Sequence, residues 1–127
     1  MRAIVVEDSK AMRMILTNIL HGLGFEVHEV GDGIAALDLL RKLGCPDVAL
    51  VDWNMPHMNG LDLVRLIRTS EIYDPMRVMM VTTQSEVTCV QAALQAGVDE
   101  YVMKPFTADV IVEKLAMMGI SVGDDAR

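Results

Sequence analysis

The sequence has few of the features that mark secreted, membrane or nucleic-acid-binding proteins. Its 127 residues include two cysteines, Cys45 and Cys89, without CxxC spacing, so we expect reduced thiols rather than a disulfide or metal pair. No apolar run is long enough to span a membrane, and Arg2 leads straight into a short strand rather than into a signal peptide. These absences predict a cytoplasmic protein whose length suits one domain.

Basic charge is also scarce, because 11 Lys and Arg face 18 Asp and Glu, which gives a net charge of −7. Such a chain is repelled by nucleic-acid phosphates and by anionic lipids, so we expect no direct contact with nucleic acid or a membrane. This expectation does not extend to a longer protein in which a second domain binds DNA.

Short β-rich runs alternate with amphipathic helical stretches five times along the chain. The predicted strands are residues 3–6, 26–30, 48–51, 78–82 and 100–103. Several are almost wholly apolar, which is typical of parallel strands covered on both faces. The pattern therefore predicts an α/β protein with helices on both sides of a five-stranded parallel sheet.

Start and stop signals place the intervening helices. The first carries an apolar stripe and ends before Gly24; the stripe comprises Met12, Ile15, Leu16, Ile19, Leu20 and Leu23. The others are predicted at 34–43, after Asn59 with Asp62 as its capping-box partner, at 85–96 before Gly97, and from Thr107 to about Gly119. Residues 1–120 are the predicted domain, and 121–127 are expected to be a short polar tail that frays.

Chemically active side chains follow four of the strands. Glu7 and Asp8 follow the first, Asp52 the third, Thr82 the fourth and Lys104 the fifth. Open parallel sheets bind ligands at the carboxyl ends of their strands, so these groups are expected to meet at one edge. Any one acidic residue taken alone would be expected to be merely solvated.

Three carboxylates at one edge repel one another unless a cation lies between them. Mg²⁺ suits such a site, because it takes oxygen ligands and keeps several waters. An aspartate beside Mg²⁺ can accept a phosphoryl group, and Lys104 and Thr82 would supply the positive charge and the hydroxyl that help to position it.

These residues resemble the signature of response-regulator receiver domains, most closely the single-domain chemotaxis type. The matching segments, in order along nearly the whole chain, are Glu7-Asp8, Asp52-Trp53-Asn54-Met55-Pro56-His57-Met58-Asn59-Gly60, Val81-Thr82, Tyr101 and Lys104-Pro105-Phe106. The resemblance implies a flavodoxin-like (βα)5 three-layer sandwich with strand order 2-1-3-4-5, an order for which a chemotaxis receiver is itself a standard example.

The resemblance also implies a role for each acidic residue. Asp52 is the expected phosphoacceptor. Asp8 and Asp52 are expected to ligate Mg²⁺ directly, the backbone carbonyl of Asn54 to supply a third oxygen, and Glu7 to act through a metal-bound water.

Further roles follow for the phosphoryl-binding and switch residues. Thr82 and Lys104 are expected to contact the phosphoryl group, and Tyr101 to rotate inward when Thr82 moves. The Lys104–Pro105 peptide bond is expected to be cis. Trp53, the only tryptophan, lies next to the acceptor and should report on it.

Three residues near the expected phosphoryl site are candidates for setting access and phosphate lifetime. Thr83 stands where the family often has a smaller residue, so it could narrow entry. The amides of Asn54 and Gln84 could orient water, in a direction that the sequence does not fix.

The implied partners are a sensor histidine kinase or histidine phosphotransfer protein and a downstream target. Lys10, Met12 and Arg13 form a candidate kinase-docking surface, and the face of helix four, strand five and helix five a candidate output surface. The apolar excess of helix five is expected either to serve docking or homodimerisation or to form a broad buried stripe. We expect a monomer or a weak phosphorylation-dependent dimer.

Three other functions compete with this switch. An aspartyl-phosphate phosphatase would need an acid at position 54, where this chain has Asn54. A flavin carrier would need a phosphate-binding loop where Glu7 and Asp8 stand. A receiver that works without phosphorylation is disfavoured by the intact site, although Thr83 keeps it open. We therefore expect a signalling switch rather than an enzyme, apart from self-catalysed phosphotransfer.

Overall fold

Five parallel strands form the central sheet of the computed structural model, which describes residues 1–120. They are β1 Arg2–Val6, β2 Glu26–Val30, β3 Val48–Val51, β4 Arg77–Thr82 and β5 Glu100–Met103. Their order is β2-β1-β3-β4-β5, with every neighbouring pair parallel. The predicted α/β class and strand order are confirmed; β1 and β4 each begin one residue earlier than predicted.

Five α-helices connect and follow the strands. They are α1 Lys10–Gly22, α2 Gly33–Leu43, α3 Gly60–Ile67, α4 Val87–Ala96 and α5 Ala108–Met117, with a 3-10 turn at Glu71–Tyr73. All five predicted helices are present. The predicted tail, residues 121–127, lies outside the described residues.

Side-chain caps start four of the five helices. Ser9, Asp32, Asn59 and Thr107 each accept a hydrogen bond from a backbone N–H in the first turn. The return contact predicted for Asp62 is wrong, because its carboxylate accepts from Arg65 at 3.4 Å, one turn along the helix. Helix α4 begins two residues later than predicted, and its N-cap Glu86 makes no side-chain capping bond within residues 1–120.

The apolar strands are buried on both faces, in two separate layers. Ala3 and Val5 of β1 contribute to the layer with α1 and α5, whereas Ile4 and Val6 pack with α2, α3 and α4. This alternation explains why the strands lack a polar side. The stripe on α1 is narrower than predicted, because Ile15 is 48% exposed.

Most of the apolar excess on α5 is explained by burial. Ile111, Leu115 and Met118 are buried and Val110 packs against the same layer, whereas Met117 is 61% exposed. The interpretation as a broad buried stripe therefore accounts for most of these residues.

At the amino ends of the strands, Arg68 forms a set of hydrogen bonds that we call the arginine clasp. The Arg68 guanidinium donates to the carbonyls of Tyr73 (2.8 Å), Met76 (2.8 Å) and Gly97 (3.1 Å), and to the Asp99 carboxylate (3.2 Å). One side chain thus joins the end of α3 to the starts of β4 and β5.

Among residues 1–120, no helix combines the length and the apolar character that crossing a bilayer requires.

Candidate functional site

Three carboxylates converge where β1 and β3 end. These strands are neighbours in register, with Val6 opposite Val51, so the residues that follow them meet, and the Asp52 N–H donates to the Val6 carbonyl at 3.0 Å. Oxygen atoms of Glu7, Asp8 and Asp52 all lie within 4.8 Å of one another. Glu7 is 1% and Asp52 7% exposed, whereas Asp8 faces solvent.

Lys104 reaches this acidic group from the end of β5, two strands away. Its Nζ donates to Asp52 Oδ2 at 2.9 Å and forms a short hydrogen bond with Glu7 Oε1. Its backbone N–H donates to the Thr82 carbonyl at 2.9 Å, and the Lys104–Pro105 peptide bond is cis, as predicted. The long lysine stem therefore passes over β4 to bring the ammonium to β3.

Burial and hydrogen bonding have opposite effects on the pKa values of Glu7 and Lys104. Burial raises the pKa of Glu7, and the hydrogen bonds from Lys104 and the Ser9 N–H only partly offset it. For Lys104, burial alone would lower the pKa, but the bonds to Glu7 and Asp52 outweigh it and the pKa is raised. Lys104 is therefore held as the ammonium while the site keeps an excess of negative charge.

This donor set suits a hard divalent cation. One ammonium faces three carboxylates, and oxygens within 4.8 Å of one another can be shared by a single ion. Mg²⁺ prefers such oxygen ligands and completes its shell with water, which the exposed side of Asp8 admits. Asn54 lies beside the group, with its N–H 3.4 Å from Asp52 Oδ1.

The loop after Asp52 is closed by a glycine in close backbone contact. A Cβ on Gly60 would lie 2.1 Å from the Asp52 carbonyl oxygen, and the Gly60 N–H donates to the Trp53 carbonyl at 2.8 Å. The resemblance included Gly60, but the reason for it becomes visible only in the fold. The loop borders an open cleft of about 440 Å³ next to the carboxylates, lined by Asp8, Trp53, Asn54, Met55, Pro56 and Asn59.

Gln84 connects the switch residues proposed from sequence. Its N–H donates to Thr82 Oγ1 (3.4 Å), its carbonyl accepts from the Tyr101 hydroxyl (2.6 Å), and its side-chain amide donates to Asn54 Oδ1 (3.3 Å). Thr82 is fully buried, and burial raises the pKa of Tyr101 to about 12. The sequence indicated Gln84 for its amide, but a main-chain carbonyl has no sequence signal.

Four other predicted residues lie at different depths around this site. Thr83 is exposed beside the buried Thr82. Of the candidate docking residues, only Lys10 is exposed; Met12 is half-buried against the apolar layer of α1 and α5, and Arg13 is half-buried.

Comparison with known sequences finds one family along almost the whole chain. The family model of the response regulator receiver domain matches residues 3–116. A chemotaxis protein CheY homolog of Campylobacter jejuni is 44% identical over 99% of this chain and 98% of its own. The chemotaxis protein CheY1 of Helicobacter pylori is 42% identical over 93% and 96%, respectively.

Solved structures share the fold as well. The chemotaxis response regulator CheY4 of Vibrio cholerae superposes with a TM-score of 0.85 at 28% identity, covering 91% of this chain and 96% of that one. The receiver domain of a sensor histidine kinase from Pseudomonas aeruginosa, with magnesium coordinated in its active-site cleft, gives 0.81 at 26% identity over 93% and 97%.

Proposed function

The chain belongs to the response regulator receiver domain family, and on that basis we propose that it is a phosphorylation-dependent switch of a two-component phosphorelay. Its phosphoryl donor is a phosphohistidine on a sensor histidine kinase or a histidine phosphotransfer protein. The observation that carries the proposal is the Asp52 carboxylate, buried at a strand end beside Glu7 and held by Lys104 at 2.9 Å.

Asp52 is the proposed acceptor because it is buried and directly precedes Trp53 and Asn54, which line the cleft. One of its oxygens is paired with Lys104, and the other lies 3.4 Å from the Asn54 N–H. An Asp52 oxygen forms the new bond to phosphorus while the bond between phosphorus and the donor imidazole nitrogen breaks. Lys104 then pairs with an oxygen of the transferred group.

The proposed Mg²⁺ site consists of Asp8 and Asp52 as direct ligands, the Asn54 carbonyl, and Glu7 acting through water. When bound, the ion neutralises the charge of the incoming phosphoryl group. The magnesium-bearing receiver from Pseudomonas aeruginosa and the three converging carboxylates support this assignment.

The switch is proposed to pass through Gln84. A phosphoryl group on Asp52 attracts the Thr82 hydroxyl, which now accepts from the Gln84 N–H. Movement of Thr82 therefore disturbs the loop whose carbonyl holds the Tyr101 hydroxyl. Two populations of this loop and Tyr101 would differ in affinity for a target.

The proposed output surface is the face of α4, β5 and α5. These three elements carry four exposed apolar side chains, Val87, Leu94, Met103 and Met117. We propose that a downstream protein docks there, that the chain works in the cytoplasm as a monomer or weak phosphorylation-dependent dimer, and that it does not bind nucleic acid directly.

Access to the phosphoryl group and its lifetime are assigned to Asn54, Thr83 and Gln84. Asn54 lines the cleft and accepts a hydrogen bond of 3.3 Å from the Gln84 side-chain amide, which supports this assignment. Thr83 is exposed on the same loop, where its side chain can limit entry.

The proposal is tested by intact mass after incubation with a small acyl phosphate, with and without Mg²⁺. We expect the wild type and the control Asp62→Asn, an exposed acid on α3, to gain one phosphoryl group only with Mg²⁺. Asp52→Asn should gain none. A gain in Asp52→Asn would reject the acceptor assignment, and no gain in the wild type would favour a receiver that works without phosphorylation.

A further inference from the structure

Arg13 binds the main chain of the turn that carries Glu7 and Asp8, from outside the carboxylate cluster. Its Nη1 donates to the Glu7 carbonyl at 2.9 Å, and its Nε donates to Glu29 Oε1 at 3.2 Å. A Cβ on Gly31 would lie 3.3 Å from the same Nη1, so the guanidinium fits closely against the end of β2. One side chain of α1 therefore ties the end of β1 to the end of β2.

These contacts hold the two peptide groups on either side of the Glu7 Cα. The Glu7 N–H donates to the Val30 carbonyl at 3.1 Å, while its own carbonyl accepts from Arg13. The Glu7 side chain must enter the buried site and the Asp8 side chain must face the cleft. The direction in which both leave the chain depends on this short turn.

The burial of Arg13 separates it from the surface arginines. The Arg13 side chain is 22% exposed, against 73% for Arg41 and 57% for Arg65, which form simple i,i+3 pairs on their own helices. Two of the Arg13 donors bind within the protein, and only 22% of the side chain is exposed to a docking partner. The geometry therefore favours an internal role.

We propose that Arg13 is a positioning residue for the divalent-cation site, holding the turn so that Glu7 and Asp8 face Asp52. This inference rests on the proposed function, because it takes the acidic group to bind Mg²⁺. Groups that orient metal ligands typically contribute 10- to 100-fold to affinity.

A purely electrostatic influence of Arg13 would have the opposite sign. Removing a positive charge near three carboxylates would strengthen the binding of a cation. Loss of positioning weakens it. A role in kinase docking alone would leave Mg²⁺ affinity unchanged, so the sign of the change separates the three roles.

The test is a titration with Mg²⁺ in the absence of any kinase or phosphodonor. Binding is monitored by Trp53 fluorescence and by calorimetry. Arg13→Met keeps the apolar stem and removes the charge and both hydrogen bonds, Arg13→Lys keeps the charge, and Arg41→Met is the control. We expect the Mg²⁺ dissociation constant to rise about 10-fold in Arg13→Met. It should rise less in Arg13→Lys, whose single amine cannot bind both acceptors, and stay at the wild-type value in Arg41→Met.

Unchanged or tighter binding in Arg13→Met would overturn the positioning role and leave the proposed function intact. If Arg13→Met does not fold, Arg13→Lys decides, because an electrostatic role predicts no change and positioning predicts weaker binding. Absence of Mg²⁺ binding by the wild type would overturn this inference together with the proposed metal site.

Discussion

Replacing Lys104 by Met should destabilise the protein strongly, and Mg²⁺ should reverse part of the loss. The side chain of Lys104 is 12% exposed and its ammonium binds Glu7 and Asp52, whose side chains are 1% and 9% exposed. Methionine keeps most of the stem but leaves these two carboxylates adjacent without a cation. Removing one partner of a buried pair lowers the free energy of unfolding by about 3–5 kcal/mol.

Added Mg²⁺ should reduce this loss of stability because it supplies positive charge to the same carboxylates. A ligand at 100 times its dissociation constant stabilises a protein by about 2.7 kcal/mol. Lys104→Met should bind Mg²⁺ more tightly than the wild type, because the competing ammonium is gone. Mg²⁺ should therefore raise the stability of the variant more than that of the wild type.

Urea unfolding at neutral pH, with and without Mg²⁺, measures both effects. A loss of about 3 kcal/mol moves the urea midpoint down by about 1–3 M for a protein of this size. The control is Lys114→Met, which removes a more exposed pair with Glu100 at 3.1 Å, with side chains 28% and 20% exposed. It should cost about 1 kcal/mol or less and show no special response to Mg²⁺.

The reasoning is refuted if Lys104→Met is no less stable than Lys114→Met. It is also refuted if Mg²⁺ stabilises Lys104→Met and the wild type equally, because the ammonium and the ion would then not share the carboxylates.

Three further changes follow from other contacts. Gly60→Ala should lower the free energy of unfolding by several kcal/mol, because its Cβ would lie 2.1 Å from the Asp52 carbonyl oxygen, and thermal unfolding measures this. Arg68→Met should lower it by about 3 kcal/mol in urea, because three carbonyls and a carboxylate lose their donor. In Tyr73→Phe, which leaves Tyr101 as the only tyrosine, tyrosinate absorbance should appear near pH 12. Because the pKa of Tyr101 is raised on folding, its contribution to stability should be complete below pH 10 and lost between pH 10 and about 12.

Each of these has its own control. Gly22→Ala adds a Cβ that meets nothing within 4 Å at the end of α1 and should be neutral or stabilising; a similar loss at both glycines would contradict the close-contact argument. Arg65→Met removes an exposed pair and should change stability by about 0.5 kcal/mol or less, so an equal effect of Arg68→Met would argue against the clasp. Ionisation near pH 10 in Tyr73→Phe would mean that partial burial does not raise the pKa of Tyr101.

Much of the fold and the acidic site could be predicted because both depend on side-chain type. Apolar runs bounded by polar residues mark the strands, and parallel strands bring their carboxyl ends together. Glu7, Asp8, Asp52 and Lys104 could therefore be grouped from their positions after strands. The assignment of their roles needed the family resemblance and stays a prediction until phosphorylation is measured.

The remaining contacts could not be predicted because one partner is main chain. Arg13 binds the carbonyl of Glu7, Arg68 binds three carbonyls, and Tyr101 binds that of Gln84. Every residue carries the same backbone carbonyl, so the sequence does not indicate which carbonyl accepts the hydrogen bond. The predicted start of α4 at Ser85 is two residues too early, because the N-cap is Glu86, which makes no side-chain capping bond among the described residues that a sequence pattern could indicate.

The position of Lys104 late in the sequence also has a consequence for folding during synthesis. It follows Glu7 by 97 residues and Asp52 by 52, so the ribosome delivers both carboxylates long before their ammonium. A nascent chain that holds only the first four strands would have to bury two like charges to close this end of the sheet. Closing this end of the sheet should therefore be less favourable until β5 brings the Lys104 ammonium, by the same charge repulsion that Lys104→Met exposes.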